Sequence, residues 1–95
     1  MSAYVIAEIE VVDPAAYEDY RKQVLAVVTQ YGGKFLVRGG QVDPKEGGWT
    51  PKRMVVLEFP SLPQARKWYD SPEYAPLIKL RQKASKGKLI LVEGA

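Results

Sequence analysis

The stretch RMVVLEFPSLPQARKWYDSPEY, Arg53 to Tyr74, leaves the chain few choices of fold. Met54 to Phe59 is a run of β-branched and large apolar side chains, the composition of a strand. Pro60 has no N–H to give to a ladder and ends it. Ser61 follows as a helix N-cap, with Gln64 three residues on to complete a capping box. The helix so begun carries Trp68 and Tyr69. Ser71-Pro72 then predicts a second helix with Tyr74 in its first turn. A strand, a sharp corner and a helix in that order require a sheet with helical cover, and the rest of the chain must supply both.

Tyr4 to Val12 reads as the first strand. Val5, Ala7, Ile9 and Val11 give it one wholly apolar face, while Tyr4, Ile6, Glu8 and Glu10 give it a mixed one. Asp13-Pro14 is an N-cap with proline at the first helical position. The helix that follows carries Tyr17, Tyr20, Val24, Val27, Val28 and Tyr31 at three- and four-residue steps, a stripe able to pack on a sheet. Gly32-Gly33 ends it, and Lys34 to Arg38 is a short second strand. Gly39 to Lys52, GGQVDPKEGGWTPK, is too long for a hairpin turn, and loops of that length are usually functional or docked. The helix from Pro72 is predicted to run to about Ser85, with Tyr74, Leu77, Ile78 and Arg81 near one face. Gly87 is expected to end it, and Lys88 to Glu93 forms the last strand.

This order is β-α-β-β-α-β, the split arrangement of α+β ferredoxin-like folds, in a single domain over residues 1–95. Right-handed crossovers put the first and third strands in the middle of a four-stranded antiparallel sheet, with the helices on one face. Val5, Ala7, Ile9 and Val11, with Val55, Leu57 and Phe59, are expected beneath the helices. The open face is expected to present Tyr4, Ile6, Glu8, Leu36, Arg38, Met54, Val56, Glu58, Leu89 and Leu91. A face that apolar calls for a partner, and the economical one is a second copy packed sheet to sheet as an isologous homodimer.

What the chain lacks narrows its chemistry. It has no cysteine and no histidine, so Ser-His-Asp and Cys-His catalysis, thiolate zinc sites and histidine-ligated haem are excluded. No metal site and no cofactor are expected. The net charge of +3 is uneven: up to Gly33, Arg21 and Lys22 face Glu8, Glu10, Asp13, Glu18 and Asp19, so the positive excess lies later in the chain. Those later cations are spread over every element and not gathered with aromatics on one face, which argues against nucleic acid and for a small anionic molecule as partner. The N-terminal stretch has acids within its apolar run and no basic leader, so neither a signal peptide nor a membrane span is expected, and cytoplasmic residence follows.

The fragments KFLVRGG, EGGW, VVLEFPS and KWYDSPEY, with the late Arg81, resemble the pattern of the small bacterial proteins grouped as domain of unknown function 1330 (DUF1330). The resemblance covers nearly the whole chain. It implies the dimeric α/β barrel superfamily, in which two ferredoxin-like subunits pack their sheets together. Relatives there include cofactor-free monooxygenases, haem-degrading enzymes, isomerases and stress-responsive proteins.

Three groups of residues are candidates for function. Glu8 and Glu58 fall on the expected open face of adjacent central strands, where paired carboxylates can raise one pKa and yield a general base. The structural alternative is that Arg38 neutralises one of them, or that they pair across the dimer. Arg38-Gly39-Gly40 ends a strand with a fixed cation and two glycines that let a ligand oxygen approach the backbone. With Arg53 across the long loop, it could hold a carboxylate in bidentate fashion; alternatively these arginines anchor the loop through Asp43 or Glu46. Trp49, Trp68, Tyr69 and Tyr74 could wall an aromatic pocket, although Trp68 also suits a plain core position and Trp49 a dimer contact. Ser71 reads as a helix cap with no base to activate it. Three functions fit this reading: a small cofactor-independent enzyme, a non-catalytic ligand-binding or regulatory dimer, and a structural oligomer.

Overall fold

A computed structural model describes all of residues 1–95. Its elements are β1 (Ala3–Val11), α1 (Pro14–Gln30), β2 (Lys34–Arg38), β3 (Met54–Phe59), α2 (Leu62–Tyr69), α3 (Ala75–Ala84) and β4 (Ser85–Glu93). The strands form one antiparallel sheet in the order β2-β3-β1-β4, so β1 and β3 are central as expected. Helices cover one face. Val5, Ala7, Ile9, Leu57 and Phe59 are buried there against Tyr17, Tyr20, Val24 and Val28 of α1, Ala65 and Trp68 of α2, and Leu77 of α3.

The ends of α1 and α2 are set by the residues that the sequence marks, with one difference. The Asp13 carboxylate accepts from the Ala16 N–H at 3.2 Å, and Gly32 after α1 takes a positive φ of 83°. The Ser61 hydroxyl accepts from the Gln64 N–H at 3.2 Å, but the capping box is not closed. The Gln64 amide instead donates to the Tyr31 carbonyl at 2.8 Å, tying α2 to the end of α1. Tyr31 in turn donates to Glu73 at 2.6 Å, which holds α1 to the turn before α3. That hydrogen bond holds the Glu73 carboxyl below its ordinary range and the Tyr31 hydroxyl above its own.

The last third of the chain departs from expectation in phase. Residues Ser71 to Tyr74 form a turn, α3 begins at Ala75, and β4 starts at Ser85 directly after it. Gly87 therefore lies inside the strand, opposite Ile9, and does not end the helix. A side chain there would run into the Glu8 backbone carbonyl, and backbone cannot swing aside. Gly87→Val is expected to cost roughly 2 kcal/mol or more, measured as a lower urea midpoint; an unchanged midpoint would refute the close approach.

This register also exchanges faces. Leu91 pairs with Val5 and Leu89 with Ala7, so both leucines lie under the helices, and Lys88, Ile90 and Val92 occupy the open face instead. In β2 the pairing slips between Phe35 and Val37. The extra residue of this bulge reverses the alternation beyond it. Arg38 pairs with Val55 on the helix side rather than the open face, while Val37 pairs with Val56 on the open face. No helix is long and apolar enough to cross a membrane.

Candidate functional site

Between the covered face of the sheet and the helices runs a narrow slot. Val5, Ala7 and Ile9 line it in succession along β1, with Val55 and Leu57 of β3, Leu89 of β4 and Val24 of α1 beside them. The space free of atoms, mouth included, is about 470 Å³, but the part wide enough for the centre of a water is only about 30 Å³. Into this apolar slot project Arg21, Arg38, Arg53 and Arg81, together with Tyr17, Tyr20, Trp68 and Tyr74. No carboxylate lines it.

Local structure places each of these groups. The Ser71 hydroxyl donates to the Trp68 carbonyl at 2.8 Å and accepts from the Tyr74 N–H at 3.1 Å. That turn folds the chain back so that the Trp68 and Tyr74 rings stack with centroids 4.2 Å apart, and it gives Ser71 a structural role. Tyr74 meets Tyr20 of α1 through their hydroxyls at 2.7 Å. Burial pushes both hydroxyls above the ordinary phenol range, and for Tyr74 the Tyr20 hydrogen bond and Arg81 offset part of the rise. Both therefore stay protonated at neutral pH, one donating to the other and the second keeping its own O–H free to donate.

The arginines find little inside the protein to bind. Arg38 donates to the Arg21 carbonyl at 3.1 Å and sits 4.5 Å from the Phe35 ring centroid. Arg53 lies 5.6 Å from the Tyr17 ring, against Gly39, whose positive φ of 74° lets the chain pass where a side chain would strike that guanidinium. Arg21 pairs with Glu18 at 3.1 Å at the surface, while its Nε is buried. Four buried N–H groups have no acceptor: Nε of Arg21, Arg53 and Arg81, and Nε1 of Trp68. All four residues line the slot. A buried donor without a partner costs about 1–3 kcal/mol, and more when charged, and all four of these donors converge on one cavity.

The structure thus brings together Arg38, Arg53, Trp68 and Tyr74, with Gly39 behind Arg53. The other candidates lie elsewhere. Gly40 stands in open space. Trp49, 56% exposed, crosses to the open face and donates to Glu8 at 2.9 Å. Asp43 pairs with Lys45 at 3.0 Å, so it does not anchor either loop arginine. Glu58 pairs with Lys34 at 3.3 Å, and hydrogen bonds from Ser2 and Lys34 hold its carboxyl below the ordinary range. Glu58 stands opposite Tyr4 in the sheet, four residues along β1 from Glu8, a spacing of ~13 Å that is too far for a shared proton. Tyr20, Arg21 and Arg81 were not among the expected site residues. The signal for the two arginines was a cation within an apolar stripe: Arg81 is four residues after Leu77, and Arg21 four after Tyr17.

The fold is α+β, a four-stranded antiparallel sheet covered on one face by helices, and solved structures of ferredoxin-like type match it throughout. Residues 2–95 match the model of the domain of unknown function DUF1330, and the chain belongs to that family. A protein of unknown function from Rhodopseudomonas palustris superposes with a TM-score of 0.75 at 18% identity, over 99% of this chain and 82% of that one. SnoaB, a cofactor-independent oxygenase from Streptomyces nogalater, gives 0.68 at 13% identity, over 99% and 93%. A dimeric protein of unknown function with a ferredoxin-like fold from Bacteroides fragilis gives 0.66 at 14%, over 98% and 96%. At these identities the likeness is one of fold. No curated protein matches the sequence.

Proposed function

We propose that the protein binds a small anionic molecule with an apolar body in the slot, and that it works as a homodimer joined through the open sheet face. One observation carries the first part: four buried N–H groups without acceptors, three of them on guanidinium groups, line a cavity that contains no carboxylate. An anion brings acceptors to these donors and also offsets the desolvated charge. Apolar walls from β1, β3 and β4 suit a hydrocarbon body. Arg38 and Arg53 hold the anion, and Trp68 and Tyr74 shape the inner end. For the dimer, the support is the apolar open face and the dimeric state of the fold relative from Bacteroides fragilis.

Small aliphatic and aromatic carboxylates are expected to raise the melting temperature. A ligand at a hundred times its Kd stabilises by about 2.7 kcal/mol, which for a domain of this size is a shift of roughly 10 °C or more. Arg38→Ala should shrink that shift. If no acid moves the melting point, or if Arg38→Ala responds like the wild type, the anion site is refuted.

Turnover without a cofactor is the second reading, supported by the fold shared with SnoaB. No carboxylate or imidazole lines the slot, so Glu8 and Glu58 could serve as bases only for a molecule held at the open face. A pH–rate limb that disappears in Glu58→Gln would place the chemistry there; ligand stabilisation with no turnover would leave a binding protein.

A further inference from the structure

We infer that the slot selects an acid carrying a second oxygen at its far end, a keto or hydroxy carboxylate, with that oxygen received by the Tyr20–Tyr74 hydroxyl pair. The inference rests on the anion-binding reading above and extends it from charge to shape. The slot has two chemically different ends. At one end stands Arg53, whose carbonyl accepts from the Ile9 N–H at 2.8 Å, with Arg38 beside Val55. These two arginines, with Arg21, are only partly buried, so this end faces solvent. At the other end Trp68 lies 5.2 Å from Phe59, and Phe59 pairs with Ala3, the far end of β1. Trp68, Tyr74, Arg81 and Tyr20 are all at least nine-tenths buried, and the Tyr17 ring lies 5.6 Å from both the Tyr20 ring and the Arg53 guanidinium, so the hydroxyl pair stands further in than the solvent-facing arginines by about one ring. Between the ends the walls are Val5, Ala7, Leu57 and Leu89, which offer no polar atom to a ligand.

The inner end is furnished with donors that the protein does not use. Tyr20 and Tyr74 together have two hydroxyl protons, and their mutual hydrogen bond uses one. The remaining O–H has no acceptor in the protein. Nε1 of Trp68 and Nε of Arg81 are likewise unpartnered. A simple fatty acid with its carboxylate at the outer arginines would put a methyl group against these donors and leave them unsatisfied. An acid with a carbonyl or hydroxyl oxygen at that depth satisfies them. Discrimination then follows from the usual asymmetry, in which a buried polar group left unpaired costs more than a made hydrogen bond gains.

Titration calorimetry with paired acids tests this: levulinate against pentanoate, and gamma-hydroxybutanoate against butanoate. Each pair keeps the carboxylate and changes the distal oxygen. The oxygenated member is expected to bind roughly tenfold more tightly to the wild type. In the double variant Tyr20→Phe/Tyr74→Phe that preference should collapse, so that levulinate and pentanoate bind alike, with an unchanged circular dichroism spectrum reporting an intact fold. Equal affinities within the pairs, or a preference that survives in the double variant, would overturn the inference and leave the anion site standing. Failure of all four acids to bind the wild type would sink both. Should the double variant fail to fold, the wild-type pair comparison still decides the preference, and the single variant Tyr74→Phe, with a smaller loss expected, tests the hydroxyl pair.

Discussion

Ile6→Lys is expected to turn the proposed dimer into a folded monomer. The register explains why this position matters most. Val37 pairs with Val56, Val56 with Ile6, and Ile6 with Ile90, so one uninterrupted apolar row crosses all four strands of the open face. Ile90 at its edge is 57% exposed, and Val92 in the next row is 40% exposed. Charges flank the row on both sides, Glu8 with Lys88 and Glu58 with Lys34. An apolar centre inside a polar rim is the anatomy of a protein interface. In a two-fold sheet-to-sheet dimer, Ile6 from a central strand faces the partner, and a lysine there buries an unpaired ammonium twice per dimer. Each such charge costs about 3–5 kcal/mol, so dissociation should strengthen by roughly a thousandfold at the least. Light scattering at micromolar concentration should give the dimer mass for the wild type and the monomer mass for the variant, with circular dichroism unchanged. A monomeric wild type would refute the interface outright, and a dimeric Ile6→Lys would move it to another surface.

Much of this architecture could be read from local signals. The alternation Val5/Ala7/Ile9, the Asp13-Pro14 cap and the Pro60-Ser61 corner each act within a few residues, and each appears where expected. What could not be read was phase. Strand faces alternate with period two, so one inserted residue exchanges them. Nothing in KFLVR announces the bulge that carries Arg38 to the helix side. Gly87 looked like a helix stop because glycine usually is one near a helix end; here it serves close packing of the β1 and β4 backbones. Both phase shifts bear on the site. The bulge moves Arg38 from the face it shares in sequence with Glu58 into the slot with Arg53, and the β4 register makes Leu89 a wall of that slot. Arg38, Arg53, Trp68 and Tyr74 could be picked out as candidates from the sequence. The acceptor-poor chamber they share could not, because it depends on side chains from α1 and α3 meeting across many residues, Tyr20 with Tyr74 above all.

Arg81→Met should stabilise the ligand-free protein and weaken its response to oxygenated acids. Arg81 is 7% exposed, forms no ion pair, and its buried Nε has no acceptor. A methionine fills similar volume without a charge to desolvate. Even buried ion pairs can be replaced by apolar side chains with gains of about 1–4 kcal/mol, and here the cation lacks the pairing that would offset its burial. A gain of about 1–3 kcal/mol, or roughly 5–20 °C in melting temperature, is therefore expected without ligand. The same variant removes a buried donor from the slot, so keto and hydroxy carboxylates that stabilise the wild type should shift it less. This pair of opposite effects separates a binding site from a packing device. If Arg81 were present only to hold α3 against the sheet, its loss would lower the melting point and leave ligand shifts in place. A gain in stability on removing Arg81, together with a smaller ligand shift, is the outcome expected of a residue that serves binding against the preference of the core around it.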